Sequence, residues 1–253
     1  MSSGVVRYPP FRGRAAVLND HGLLMSRWYI PRVNKAPDTR EVIAAAALEF
    51  IDENGVNALT LRALGQATGL HHTAMYRHFK DRNDVLTAVN AIVVKEGLER
   101  AGVLPQEPRE RILALMRGLR SAMHDHPAIT LSHLLPIETL ANSEPVATMQ
   151  SFILASLMEL GLEGHELLVH HRMLESFVLG ASVFDFGGAP AHLESRRQRL
   201  RHVTNPAFES VTRDEASIDE LNEVAFDRGL VLVLDECARV GALARAQGAA
   251  RPG

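Results

Sequence analysis

Between Thr39 and Val93 apolar residues recur every three to four positions in four consecutive blocks, and glycines or capping residues separate the blocks. A 3.6-residue period suits helices and cannot line one face of a strand, so this stretch constrains the fold more than any other. Val42, Ile43, Ala46, Ala47, Phe50 and Ile51 form one stripe opposite Arg40, Glu41, Glu49, Asp52 and Glu53. Asp38 followed three residues later by Glu41 is a capping-box pattern, and Gly55 stops the helix. Thr60 caps a short second helix carrying Leu61, Leu64 and Ala67, and Gly69 ends it where a left-handed turn is wanted. Leu70 restarts the pattern, and a third short helix runs through Thr73, Met75, Tyr76 and Phe79. Asp81 and Asp84 favour the N-terminus of a fourth helix, with Val85, Leu86, Val89, Ile92 and Val93 as its buried stripe.

The remaining chain reads as further helices over roughly 109–126, 145–160, 165–184, 193–202 and 219–247. Pro105, Pro108, Pro127, Pro136, Pro190 and Pro206 fall at the breaks. No alternating strand pattern bounded by hairpin turns is visible, and no repeat of solenoid length, so the expected fold class is all-α. Residues 1–37 carry six cations against Asp20 alone and four prolines, which reads as a flexible basic arm; Met25 is an alternative start. Charge is divided along the 253-residue chain: residues 1–82 are net +4 and residues 83–253 net −7. A basic head on an acidic body fits a nucleic-acid-binding module joined to a non-binding one. The single cysteine, Cys237, excludes a disulfide scaffold and suits a reducing cytoplasm. No apolar run approaches the roughly 18 residues of a membrane span, and no secretory leader is apparent, so a cytoplasmic protein with no membrane partner is expected.

Two short helices joined by a glycine turn are the ingredients of a helix-turn-helix. Leu70, Met75 and Phe79 can anchor the second of them, which leaves His71, His72, Thr73, Arg77 and Lys80 facing outward, with no acid among them. Such a helix can enter a major groove about 12 Å wide while neighbouring cations hold the phosphates. The stretch TLRALGQATGLHHTAMYRHFKDRNDVL, Thr60 to Leu86, resembles the DNA-binding signature of the TetR family of bacterial transcriptional regulators. Gly69, Leu70, Met75, Tyr76, His78, Phe79 and Leu86 match the pattern, and TREVIAAAALEFIDENG resembles the family's first helix. The departures are Leu64-Gly65 for the usual Ile-Ala, His71 for the usual serine after the turn, and Arg82 for the usual lysine. Three histidines in this region, His71, His72 and His78, would let DNA affinity rise as pH falls below about 6.5.

The resemblance implies phosphate contacts from Thr60, Arg62, Tyr76, Lys80 and Arg82, with part of the Tyr76 ring on the core. It implies base reading by His71, His72, Thr73 and Arg77, with His78 beside them. The organisation it implies is a basic arm (1–37), a three-helix helix-turn-helix DNA-binding domain (38–83), a helical ligand-binding and dimerisation domain (84–246) and a disordered tail (247–253). Its partners would be a palindromic double-stranded operator, a small hydrophobic effector and a second copy of the chain. The dimer helices would lie near His165–Phe184 and Phe226–Leu243, with Leu230, Val233, Leu234, Cys237 and Val240 as the apolar face. Met116, Leu119, Met123, His124, Phe152, Met158, Met173 and Phe177 are the expected effector-lining residues. Release of a repressor by its effector is the leading reading. A constitutive DNA-binding regulator without a ligand is the alternative. More remote is a helical metal-dependent hydrolase built on His124-Asp125. No catalytic residue, cofactor or metal is expected. The twelve histidines contain no i,i+3 or i,i+4 pair, and no phosphate loop, dinucleotide fingerprint or nucleophile elbow is present.

Overall fold

The computed structural model describes residues 16–18, 24–26, 39–130, 143–184 and 218–249. Nine helices are found among them: α1 (Thr39–Asn54), α2 (Leu61–Thr68), α3 (His72–Met75), α4 (Arg82–Ala101), α5 (Pro108–Asp125), α6 (Pro127–Thr130), α7 (Glu144–Glu159), α8 (Gly164–Phe184) and α9 (Ile218–Ala249). The architecture is all-α apart from the arm, where β1 (Ala16–Leu18) pairs antiparallel with β2 (Leu24–Ser26) in the register Val17 to Met25. That ladder differs from the strand-free arm read from sequence. Two short apolar runs flank Asn19, Asp20 and Gly22, residue types that favour tight turns, and three residues are too few for alternation to register. The expected helix over 193–202 and the cap Asp38 lie outside the described residues.

Two apolar clusters share α4. Val85, Leu86, Val89 and Val93 on its first half pack with Ile43, Ala47, Ile51, Leu64, Met75 and Phe79 in the head, while Val94 and Leu98 join the body cluster. The head's cluster also takes Ala122, Met123 and Ile129 from the α5–α6 corner, so it extends beyond residue 83. Phe152, Leu157, Leu174, Val178, Phe226, Leu230, Leu234 and Cys237 fill the body. Here the face expected for dimerisation is corrected. Leu230, Leu234 and Cys237 are wholly buried within the protomer, and Val233 and Val240 pack against the same core. The large apolar side chains left exposed on these two helices are Leu168 and Met173 of α8 and Leu221, Val224, Leu232 and Leu243 of α9. A 32-residue helix with two apolar stripes looks alike on both in sequence, and only packing tells them apart.

Close helix approach is written in glycine. A Cβ on Gly118 of α5 would collide with the Gly97 carbonyl of α4 and lie 2.9 Å from the Ala101 nitrogen. The α4–α5 crossing therefore has no room for a side chain there, and α4 is held rigidly as it leaves the head. Cys237 sits in this body, and burial pushes its thiol up to about 11, which leaves it protonated and unreactive at neutral pH.

Candidate nucleic-acid interface

The helix-turn-helix is assembled from local signals. Thr60 Oγ1 accepts from the Ala63 nitrogen at 3.0 Å and caps α2; Gly69 closes it in the left-handed conformation, φ 70° and ψ 10°. His71 takes the place of the usual capping serine. Its Nδ1 lies 2.5 Å from Thr73 Oγ1 and receives the Thr73 N–H at 3.4 Å. Thr73 is exposed beside it. The third helix is shorter than read from sequence, since regular helix stops at Met75 and the chain continues in turns, with the Phe79 N–H reaching the Met75 carbonyl at 2.9 Å.

Packing divides the two sides of this unit. Leu61, Leu64, Met75 and Phe79 are buried, whereas Thr60, Arg62, His71, Thr73, Tyr76, Arg77 and Lys80 are exposed. His78 is half-buried, and for His72 only the backbone is described. Two expectations change. Leu70 is exposed rather than an anchor, and Tyr76, at 59% exposure, lies mostly outside the core. Leu70 lies between Gly69, which ends α2, and the start of α3, so no continuous helix carries it onto the face shared by Met75 and Phe79.

Arg82 is turned inward. Its Nε donates to the Leu59 carbonyl at 3.0 Å and its Nη2 to the Val56 carbonyl at 2.8 Å, so it ties the start of α4 to the segment before α2. Sequence reasoning missed a second brace, Arg40. Its guanidinium lies 4.2 Å over the Phe79 ring, donates to the His78 carbonyl, and meets Asp84 Oδ1 at 2.5 Å. Asp84 also accepts the Lys80 N–H at 2.9 Å, and the hydrogen bond from Arg40 holds its carboxyl below the usual range against the opposing pull of burial. Asp81 caps α4 through the Asp84 nitrogen at 2.9 Å. The turn bearing Arg77 and Lys80 is therefore clamped from α1 and α4. Arg40 precedes a helical apolar stripe by two residues, and only the pairing across 44 positions reveals its role.

The residues expected to line an effector site do not share one environment. Met116 and Phe152 are buried in the body core, with Phe177 half-buried and stacked on Phe226 at 5.6 Å. Met123 belongs to the head's cluster, and Leu119 touches both. His124, Met158 and Met173 are exposed. The dipeptide His124-Asp125 is split, because Asp125 pairs with Arg100 at 2.7 Å. Among the described residues no group of three His, Cys, Asp or Glu side chains is placed to hold a metal. No described helix is long and apolar enough to cross a membrane.

Residues 43–89 match the family model described as bacterial regulatory proteins, tetR family. An HTH-type transcriptional regulator of Saccharopolyspora erythraea is 32% identical over 152 residues, 56% of this chain and 59% of that one. The HTH-type transcriptional repressor BepR of Brucella suis is 32% identical over 114 residues, 45% of this chain and 46% of its own. The chain thus spans about half the length of these relatives. Among solved structures, the TetR family protein ActR of Streptomyces coelicolor in complex with actinorhodin superposes with a TM-score of 0.64 at 19% identity, covering 81% of this chain and 99% of ActR.

Proposed function

We propose that this chain, whose head is that of a TetR-family bacterial regulatory protein, acts as a homodimeric, sequence-specific DNA-binding regulator in the cytoplasm. The observation that carries the reading is the two-sided α2–α3 unit. Its apolar side is buried in the head, and its other side displays Arg62, His71, Thr73, Tyr76, Arg77 and Lys80 without an acid among them. Arg62, Tyr76 and Lys80 would hold phosphates, together with the hydroxyl of Thr60. His71, His72, Thr73 and Arg77 would meet base edges in the major groove. His78 supports this turn through its carbonyl, and Arg82 acts as a brace rather than a phosphate ligand.

Dimerisation would use the exposed side of α8 and α9, with Leu168, Met173, Leu221, Val224, Leu232 and Leu243 at its centre. A twofold dimer places two recognition helices about 34 Å apart on a palindrome. Repression released by a small hydrophobic effector is the finer reading, supported by the likeness to BepR and by the fold shared with ActR in complex with actinorhodin. An effector acts here only if it binds two head separations unequally. Selection from random duplex DNA tests the core of the proposal. Wild type should enrich a palindrome that the His72→Ala, Arg77→Ala double variant fails to enrich. No enrichment by folded wild type at low salt would overturn the reading.

A further inference from the structure

The α5–α6 corner brings the body into the head's core, where Ala122, Met123 and Ile129 are buried. At its polar rim stands His126, the residue between the two helices. Its backbone is pinned: the Thr130 N–H donates to the His126 carbonyl at 3.1 Å, and the buried Thr130 hydroxyl lies 3.0 Å from both that carbonyl and the Met123 carbonyl. The imidazole then points to two other elements at once. Nδ1 is 2.7 Å from Asp52 Oδ2 near the end of α1, and Nε2 is 3.2 Å from Glu96 Oε2 in the middle of α4. The ring is mostly withdrawn from solvent, with 17% of its side chain exposed.

A neutral imidazole has one N–H and can donate to only one of these carboxylates; the doubly protonated ring donates to both. The remaining charged groups around it make the two contacts unequal. Arg100 of α4 meets Glu96 at 3.4 Å, Asp125 of α5 at 2.7 Å, and Ser121 Oγ at 3.0 Å. Glu96 is therefore shared between a guanidinium and the imidazole. Among the described residues, Asp52 has His126 as its partner. When the ring loses a proton, either α1 or α4 is left with a carboxylate facing a lone pair.

We propose that His126 is a positioning residue: by bridging Asp52 of α1 and Glu96 of α4 it fixes the angle of the DNA-binding head on the body. The proposal rests on the regulator reading. Helix α1 is the part of the head that His126 grips, and α1 clamps the recognition turn through Arg40. A head free to swing must be ordered when the operator is bound, and that ordering is subtracted from affinity.

The test is fluorescence anisotropy with the palindromic duplex enriched by wild type and with a duplex holding one of its half-sites, for the full chain, His126→Gln and Asp52→Asn at constant salt and pH. The glutamine variant should bind the palindrome about five- to tenfold more weakly than wild type and the single half-site equally well, because only the palindrome requires both heads at a fixed angle. Asp52→Asn, which keeps the ring and its anchored backbone, should weaken palindrome binding in the same sense and spare the half-site. It decides the matter if the glutamine variant does not fold. Folded variants that bind the palindrome as wild type does or more tightly, or that lose as much affinity for the half-site, would overturn the role of His126 while leaving the regulator reading in place. Absence of any duplex bound by wild type would instead remove the regulator reading and this inference with it.

Discussion

Head and body use arginine in opposite ways. On α2 and in the recognition turn, Arg62 and Arg77 are exposed, and from Thr60 to Lys80 the chain contains no acid to pair with them. On α5, Arg109, Arg111, Arg117 and Arg120 each meet a carboxylate on another helix: Asp235 at 2.5 Å, Glu159 at 2.9 Å, Asp227 at 2.9 Å and Glu223 at 2.7 Å. Three of these pairs step down α5 as they step up α9, a ladder that sets the two helices antiparallel. The guanidinium is the same chemical group in both regions. Where an acid is built opposite, it holds helices together; where none is, its donors remain for an anionic partner.

The largest effect should come from disturbing the body where it contains no charge at all. Gly118→Val would drive a branched side chain into the α4 backbone at Gly97 and Ala101, atoms that cannot rotate aside. We expect a loss of more than about 3 kcal/mol, read by urea denaturation, and loss of DNA binding with it, because α4 carries the head. A near wild-type midpoint would mean that the crossing tolerates separation.

The comparison is sharpened by pairing Arg111→Ala with Arg77→Ala. Arg111 has no exposed side chain and serves Ser156, Glu159 and the carbonyls of Pro105 and Gln106. Its removal should cost about 2–3 kcal/mol of stability, moderated because Glu159 is 42% exposed and can rehydrate. The folded fraction should bind DNA normally. Arg77→Ala should do the reverse, leaving the unfolding free energy within about 0.5 kcal/mol of wild type while operator affinity falls about tenfold or more. Equal effects of the two substitutions on either measurement would erase the distinction between the regions.

Much of this division was legible in the sequence, and the reason is local. Pro108 and Pro145 stand at the first turns of α5 and α7, and Gly55 and Gly69 end α1 and α2, so these boundaries are set within a few residues of the chain. The exposed side of α2–α3 was legible for the same reason. What was hidden depends on distant partners. Arg82 looks like a phosphate-binding cation until Leu59 and Val56 are seen to offer it carbonyls, and His126 carries no motif until Asp52 arrives from 74 positions away. Cys237 and Leu230 were placed on the wrong side of α9 because amphipathic spacing gives a helix two faces without saying which neighbour covers which.

A smaller effect should separate the clamp from the surface it supports. Asp84→Asn removes the charge that Arg40 grips, at a site where both side chains are partly exposed, so about 1 kcal/mol of stability is at stake. The sign with pH follows from the lowered carboxyl. Its contribution is complete above the unfolded carboxyl's value of about 4 and fades as pH falls through the lower folded one. Wild type and variant should therefore differ at pH 7 and converge as pH falls below about 4 in chemical denaturation. A difference that persists undiminished in acid would show that packing of the side chain, not its charge, is what matters.

The smallest effects should lie within the α5–α9 ladder, and they should be graded by exposure. Arg117 and Asp227 are both about half exposed, so their attraction is screened by water and salt, and Arg117→Ala should change stability by no more than about 0.5 kcal/mol. Arg120 is nearly buried and lies 4.6 Å over the Phe226 ring as well as against Glu223. Its loss removes apolar cover and a cation–ring contact that salt cannot screen, and should cost about 1–2 kcal/mol. Raising sodium chloride from 0.05 to about 1 M should abolish the first difference and leave most of the second. If both vanish together, the ladder holds α9 by charge alone; if neither responds, its arginines act in the body as packing side chains whose charge is incidental.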